Sequence, residues 1–281
     1  MQYKMTSYSD NFEDVLIRRA FPDEARGFYI DVGAYEPVDH SVTKHFYDSG
    51  WRGINIEPNP APFAKLSAGR DRDVNLNIGL SNREGRLTLY EAPSACWSVD
   101  PDFLTGYFGA DRAALVERSI PVTTLAKVCE RHVPEGEVIH FLTIDVEGHE
   151  REVIEGGDWS RWRPRLVMAE ANGADTWGPT LVAAGYAFVL FDGVNRLYVR
   201  DEDRHLIPTL SVPVNVSDRF LIHGYIRRIN ELERRVVELE RSPDPDLTPM
   251  ALRVARRLGR ASRRYPRVSS IAGKIVRRLT G

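Results

Sequence analysis

The chain has 281 residues, 42% hydrophobic and 28% charged, which suits one sizeable α/β domain with appendages and excludes intrinsic disorder. No run approaches the ~18 apolar residues of a membrane span. Residues 1–5 lack the apolar stretch of a secretory signal, so a cytoplasmic protein with two reduced thiols, Cys96 and Cys129, is expected.

In chain order, a helix is expected over 12–20, opened by Asp10-Asn11-Phe12-Glu13 as a capping box with Asp in the Ser/Thr place. Strand 28–32, helix 41–49, strand 53–57 and helix 60–68 follow. Strands 74–80 and 86–91, helix 125–132, strand 140–146 and helix 149–155 come next, the last closed by Gly156-Gly157. Strand 166–171 and a terminal antiparallel hairpin, 186–192 with 196–199, complete the series. Several strands are nearly unbroken apolar runs, as in sheets covered on both faces. The expected fold is a Rossmann-like open, mostly parallel twisted sheet over residues 1–216, with a helical extension beyond.

Ile222, Tyr225, Ile229, Leu232, Val236 and Leu239, spaced 3, 4, 3, 4, 3, mark a heptad-patterned helix over 217–241. It suits self-association or packing on the body. Residues 242–281 are a linker followed by a basic amphipathic tail. The net charge of −2 conceals that tail: residues 251–281 hold ten basic residues and no acidic one, leaving −12 on the rest. An anionic membrane surface fits such a tail, as a peripheral attachment. Nucleic acid fits less well, because no aromatics interleave the arginines.

Three segments can carry chemistry. Phe28-Tyr29-Ile30-Asp31-Val32-Gly33-Ala34-Tyr35 is a buried strand ending where open α/β sheets bind ligands, with Gly33 allowing close backbone approach. Asp31 there repels a pyrophosphate and suits an ammonium group; a plain turn glycine gives the same pattern. Gly53-Ile54-Asn55-Ile56-Glu57-Pro58 ends in a second acid, 26 residues on, able to accept both hydroxyls of a ribose or to cap the next helix. His140 to Glu150 crowds Asp145, Glu147, His149 and Glu150 into one loop, suited to a general base, a metal site, an orienter of a ligand, or a helix start rich in acids. No Gly-x-Gly-x-x-Gly loop follows the first strand, which disfavours a dinucleotide enzyme.

These segments resemble the FkbM family of S-adenosylmethionine-dependent methyltransferases. So do Ser7-Tyr8-Ser9-Asp10-Asn11-Phe12-Glu13-Asp14, Asp39-His40-Ser41-Val42-Thr43, Gly50-Trp51-Arg52-Gly53 and Ile120-Pro121-Val122-Thr123-Thr124-Leu125. Glu170-Ala171-Asn172-Gly173 and Asp192-Gly193-Val194-Asn195-Arg196 extend the likeness, which runs from about residue 7 to 216. Asp10 stands where the family usually has Gln, and Glu36-Pro37 where many members have Gly. The resemblance implies S-adenosylmethionine as cofactor, held by Asp10, Asp31, Gly33, Ala34, Tyr35, Glu57, Pro58 and Asp145. It also implies O-methylation of a hydroxyl on a sugar, glycolipid or related natural product. His149 is the first candidate base and Asp145 the second, with Glu147 beside them; Mg²⁺ held by the three is the alternative. Residues 92–108, with Trp97, Phe103, Tyr107 and Phe108, suit a substrate lid or aromatic cover of a core edge. A non-catalytic scaffold that keeps the fold is the competing function.

Overall fold

A computed structural model describes residues 4–93, 96–171 and 176–241. The chain divides into two units between Phe220 and Leu221. The expected linker and basic tail, and Asn172-Gly173 of the family-like segments, lie outside the described residues.

In the first unit the strands are β1 (Met5–Ser7), β2 (Phe28–Val32), β3 (Arg52–Ile56), β4 (Val74–Leu76), β5 (Gly79–Leu80) and β6 (Gly85–Glu91). They continue with β7 (Trp97–Ser98), β8 (Val116–Thr123), β9 (Ile139–Ile144), β10 (Leu166–Glu170), β11 (Tyr186–Phe191) and β12 (Asn195–Arg200). The α-helices are α1 (Glu13–Ala20), α2 (Lys44–Asp48), α3 (Pro60–Gly69), α4 (Pro101–Tyr107), α5 (Leu125–His132), α6 (Glu150–Glu155), α7 (Gly178–Ala183) and α8 (Ile207–Leu210).

Seven strands form one sheet in the order β11-β12-β10-β9-β2-β3-β4. Every pair from β4 to β10 is parallel, and β12 runs antiparallel to both its neighbours, which makes the expected terminal hairpin. Alternation along the strands feeds two cores. Ile30, Val32, Ile54, Leu142, Ile144 and Val167 pack with α5, α6 and α7 on one face. Tyr29, Phe141, Leu166 and Met168 pack with α1 and Phe46 of α2 on the other. The sheet is therefore doubly wound, and its order reverses between β2 and β9. Ligands of such sheets bind outside the carboxyl ends at that reversal.

The expected single strand over 74–80 is split. The Asn77 amide donates to the carbonyls of Glu57 (2.9 Å) and Pro58 (3.0 Å), and turns the chain out of the large sheet after β4. β5 instead opens a second sheet in the order β5-β8-β6-β7. Sequence reading does not find β8, because its first four residues are exposed and it carries Pro121.

The expected capping box does not form. Phe12 occupies the N-cap with φ 63° and no side-chain cap. Asp10 turns to His40, whose Nδ1 lies 2.8 Å from both its oxygens. Glu13 reaches back to the Asn11 N–H (3.0 Å), and buried Asp14 accepts from the Ser7 hydroxyl, the Tyr8 N–H and the Ser9 hydroxyl. The family-like opening segment is thus a knot tied on Asp14.

Arg70 ties down the loop after β2. Fully buried, it donates to the Pro37 carbonyl (3.0 Å), the Ser41 hydroxyl (2.8 Å) and Tyr29 Oη (3.4 Å), and Nη1 lies 3.9 Å from Asp73. Arg70→Met removes these donors and leaves buried acceptors unmatched. It is expected to cost about 3 kcal/mol in urea unfolding; a loss under ~1 kcal/mol would contradict that role.

The second unit contains the helix His223–Arg241, which carries Arg228–Glu231 and Arg235–Glu238 ion pairs at i,i+3. No described helix is long and apolar enough to cross a membrane.

Candidate active site

The loops leaving β2, β3 and β9 are stitched together. Ile56 O accepts from the Gly33 and Ala34 N–H groups (3.0 and 3.1 Å), and Val32 O accepts from the Asp145 N–H (2.9 Å). Gly33 has φ +88°, and a Cβ on it would lie 1.7 Å from the Asp145 carbonyl oxygen. The Asp145 carbonyl oxygen thus fills the space a side chain would take, while Gly33 itself lines the cavity described below.

Asp31 is placed differently from its expected position facing a ligand's ammonium. Val32 lines the cavity described below, so the preceding residue of the extended strand points to the other side. There the Asp31 carboxylate accepts from the Thr43 and Thr143 hydroxyls, each at 2.9 Å. Burial raises its pKa, against those two hydrogen bonds.

A cavity of about 590 Å³ opens at the reversal point, within the ~300–1,000 Å³ of small-molecule sites. Tyr35, Glu57, Pro58, Asp145, Glu147 and His149 line it from the large sheet's loops, with Asp10 and His40. The second sheet supplies an apolar wall through Leu80, Leu89, Trp97, Ile120 and Val122. Trp97 lies 5.8 Å from the Tyr35 ring, and its buried Nε1 has no hydrogen-bond partner, so a donor is left for a ligand. Tyr35, His40 and Glu147 all have left-handed backbone (φ 47°, 64° and 55°), and such strain gathers at functional sites.

Each acid has its own setting. Glu57 Oε2 accepts from the Tyr35 N–H (2.9 Å) and Oε1 from the Asn59 N–H (2.7 Å). Each oxygen keeps a lone pair for a further donor. Burial pushes its pKa up to about 7, against those two bonds. Asp145 lies at the cavity surface and is exposed to it. Desolvation, then the charges of Glu170, Glu150 and Glu13, raise its carboxyl well above the usual range. Glu147 is pushed to about 7 by burial and then by Asp145 and Glu150; Cys96 Sγ lies 3.7 Å from its Oε1. His149 is pushed below its ordinary value by burial. Its Nε2 lies 3.1 Å from Ser81 Oγ and its Nδ1 3.3 Å from Glu152, so both ring nitrogens are engaged.

A family model described as the methyltransferase FkbM domain matches residues 31–196. The chain belongs to the FkbM methyltransferase family. Among solved structures it is similar to a TehB-like SAM-dependent methyltransferase from Corynebacterium glutamicum, at 7% identity and a TM-score of 0.35, over 68% of this chain and 89% of that one. No curated protein matches it.

In this FkbM domain the structure brings Asp10, Gly33, Tyr35, Glu57, Pro58, Asp145, Glu147 and His149 to one cavity, while Asp31 and Ala34 support it from behind. Among the described residues, no three His, Cys, Asp or Glu side chains converge as a metal-binding group, so the Mg²⁺ alternative has no geometric support. Sequence reasoning places Glu150 in this loop but not its role, in which Oε1 accepts from the Val146 and Gly148 N–H groups (both 3.1 Å), and it misses Ser98, which donates to the Glu147 carbonyl (2.6 Å). Both hold the strained Glu147-Gly148 corner, and nothing in their residue type announces it. The segment around 92–108 forms β7 and α4; Trp97, Val99 and Phe108 reach the cavity, and Phe103 packs 3.1 Å from where a Gly148 Cβ would stand.

Glu147 also couples stability to pH. Its carboxyl titrates near 7 in the folded chain against an ordinary 4.5, so between these values the folded state binds more protons and loses stability as pH rises. Glu147→Gln removes this penalty. Its stability relative to wild type is expected to improve by about 2 kcal/mol from pH 5 to pH 8.5, a figure reduced for the side chain's partial exposure. Equilibrium unfolding across that range checks it; a pH-independent difference would rule it out.

Proposed function

We propose that this protein is an S-adenosylmethionine-dependent O-methyltransferase whose acceptor is a hydroxyl of a sugar, glycolipid or related natural product. The observation that carries this is one cavity at the sheet's reversal point, lined by Glu57 from the end of β3 and by Asp145 and Glu147 from the loop after β9. The residues fit the cofactor: Glu57 has spare lone pairs for the ribose hydroxyls, and the apolar wall with Tyr35 and the unpartnered Trp97 N–H suits a purine.

The cofactor, when bound, supplies an electrophilic methyl group on a positive sulfur. Glu57 would orient its ribose, and Asp145 would stand beside it at the cavity wall. Glu147 would take the proton of the acceptor's hydroxyl, because a carboxylate titrating near 7 is matched to this task. His149, engaged at both nitrogens, positions the α6 end of the loop. The aromatic group Phe103, Tyr107 and Phe108 beside the cavity supports a sugar acceptor, since rings stack on sugar faces.

Calorimetric titration with S-adenosylhomocysteine tests the reading. Wild type is expected to bind at micromolar concentrations, and Glu57→Ala to bind at least about tenfold more weakly, through loss of charge-assisted hydrogen bonds. A well-folded wild type that binds nothing would overturn the reading in favour of a scaffold.

A further inference from the structure

The cavity's charge is one-sided. Among the described residues that line it, Asp10, Glu57, Asp145 and Glu147 are acids and none is Lys or Arg. The two histidines do not offset them: His40 is committed to Asp10, and His149 is held between Ser81 and Glu152. Glu57 is met by backbone N–H groups and Glu147 by a thiol, neither of which carries a charge. The charges of Glu170, Glu150 and Glu13 act on Asp145 in the same direction as its desolvation. A cation entering this space therefore meets the carboxyls of Glu57 and Glu147, which no Lys or Arg of the described lining pairs, beside a low-dielectric apolar wall.

We propose that the cavity selects its cofactor by charge, holding the cationic sulfonium form more tightly than the neutral thioether product. The inference rests on the methyltransferase reading above. The two compounds share adenine, ribose and amino-acid groups and differ by one methyl and one positive charge, so the shared contacts cancel in the comparison. A neutral lining would favour the thioether, because burying an unpaired cation is costly. An acidic lining reverses the order. At an effective dielectric of ~20, one unbalanced carboxylate within several ångströms of a unit charge favours the charged ligand by about tenfold or more. The consequence is a site that lets its product go: once Glu147 has taken the acceptor's proton, both opposite charges are gone from the cavity.

The test is calorimetric titration of the full chain at pH 8 and low salt with three ligands. These are S-adenosylmethionine, S-adenosylhomocysteine and sinefungin, which carries a protonatable amine near the sulfonium position and no transferable methyl. The two cationic ligands are expected to bind about tenfold tighter than the thioether, and Glu147→Gln to narrow that ratio while leaving thioether affinity within about twofold. Equal affinities, or a tighter thioether, would overturn charge selection yet leave the methyltransferase reading intact. Uniform weakening of all three by Glu147→Gln would also overturn it. Binding of none of them by folded wild type would overturn both readings. Should Glu147→Gln not fold, the wild-type ratio decides alone.

Discussion

Gly33→Ala is expected to destabilise the protein by more than about 4 kcal/mol, the largest effect of an added methyl at any described glycine. The added Cβ would stand 1.7 Å from the Asp145 carbonyl oxygen, at a backbone φ of +88°. The obstacle is backbone, so no side-chain rotation relieves it. The β2 and β9 loops would have to part, at the expense of the Asp145 N–H to Val32 carbonyl bond. Gly193 is the control, because it has a similarly positive φ of +103° and nothing within 4 Å of a Cβ. Gly193→Ala carries conformational strain alone, about 1–2 kcal/mol. Equilibrium urea unfolding of the two variants checks the difference. If they lie within about 1 kcal/mol of one another, the close approach is not what requires Gly33.

Glu147→Gln is expected to lower kcat by about 10²–10⁴-fold, the range for removing a general base. S-adenosylhomocysteine affinity should stay nearly unchanged, since a neutral ligand gains little from that charge. The base works only when deprotonated, so wild-type kcat should rise with pH through an apparent pKa near the value of about 7 set by burial and the charges of Asp145 and Glu150. Initial rates on an accepted glycoside between pH 6 and 9 provide the measurement. A kcat within threefold of wild type, or a profile unchanged in the variant, would assign the proton to another group. The same substitution is expected to stabilise the fold above pH 7. Gain of stability with loss of turnover is the pattern of a strained, charged catalytic residue.

Much of this arrangement is legible in the sequence, and the illegible part has consistent causes. β2 and β9 can be read directly because parallel strands buried on both faces are apolar runs, and their ends carry the acids. Glu57 and Glu147 reach the cavity as their strand-end positions suggest. Asp31 does not, because its orientation depends on Thr43 and Thr143, which lie 12 and 112 residues away. The second sheet is missed because β5 and β7 are two residues long and β8 carries a proline. Consequently the cavity's apolar wall is invisible to periodicity, though it decides how strongly the acids are desolvated. The roles of His149 and Asp10 depend likewise on partners that spacing does not reveal: Ser81, Glu152 and His40.

The most direct test of the central claim is a crystal structure of the protein with S-adenosylhomocysteine. The ligand is expected in the cavity between the two sheets, its ribose hydroxyls on Glu57 and its sulfur on the side of Asp145 and Glu147. A ligand bound elsewhere on the protein, or one whose ribose leaves Glu57 untouched, would contradict the assignment of this cavity as the active site.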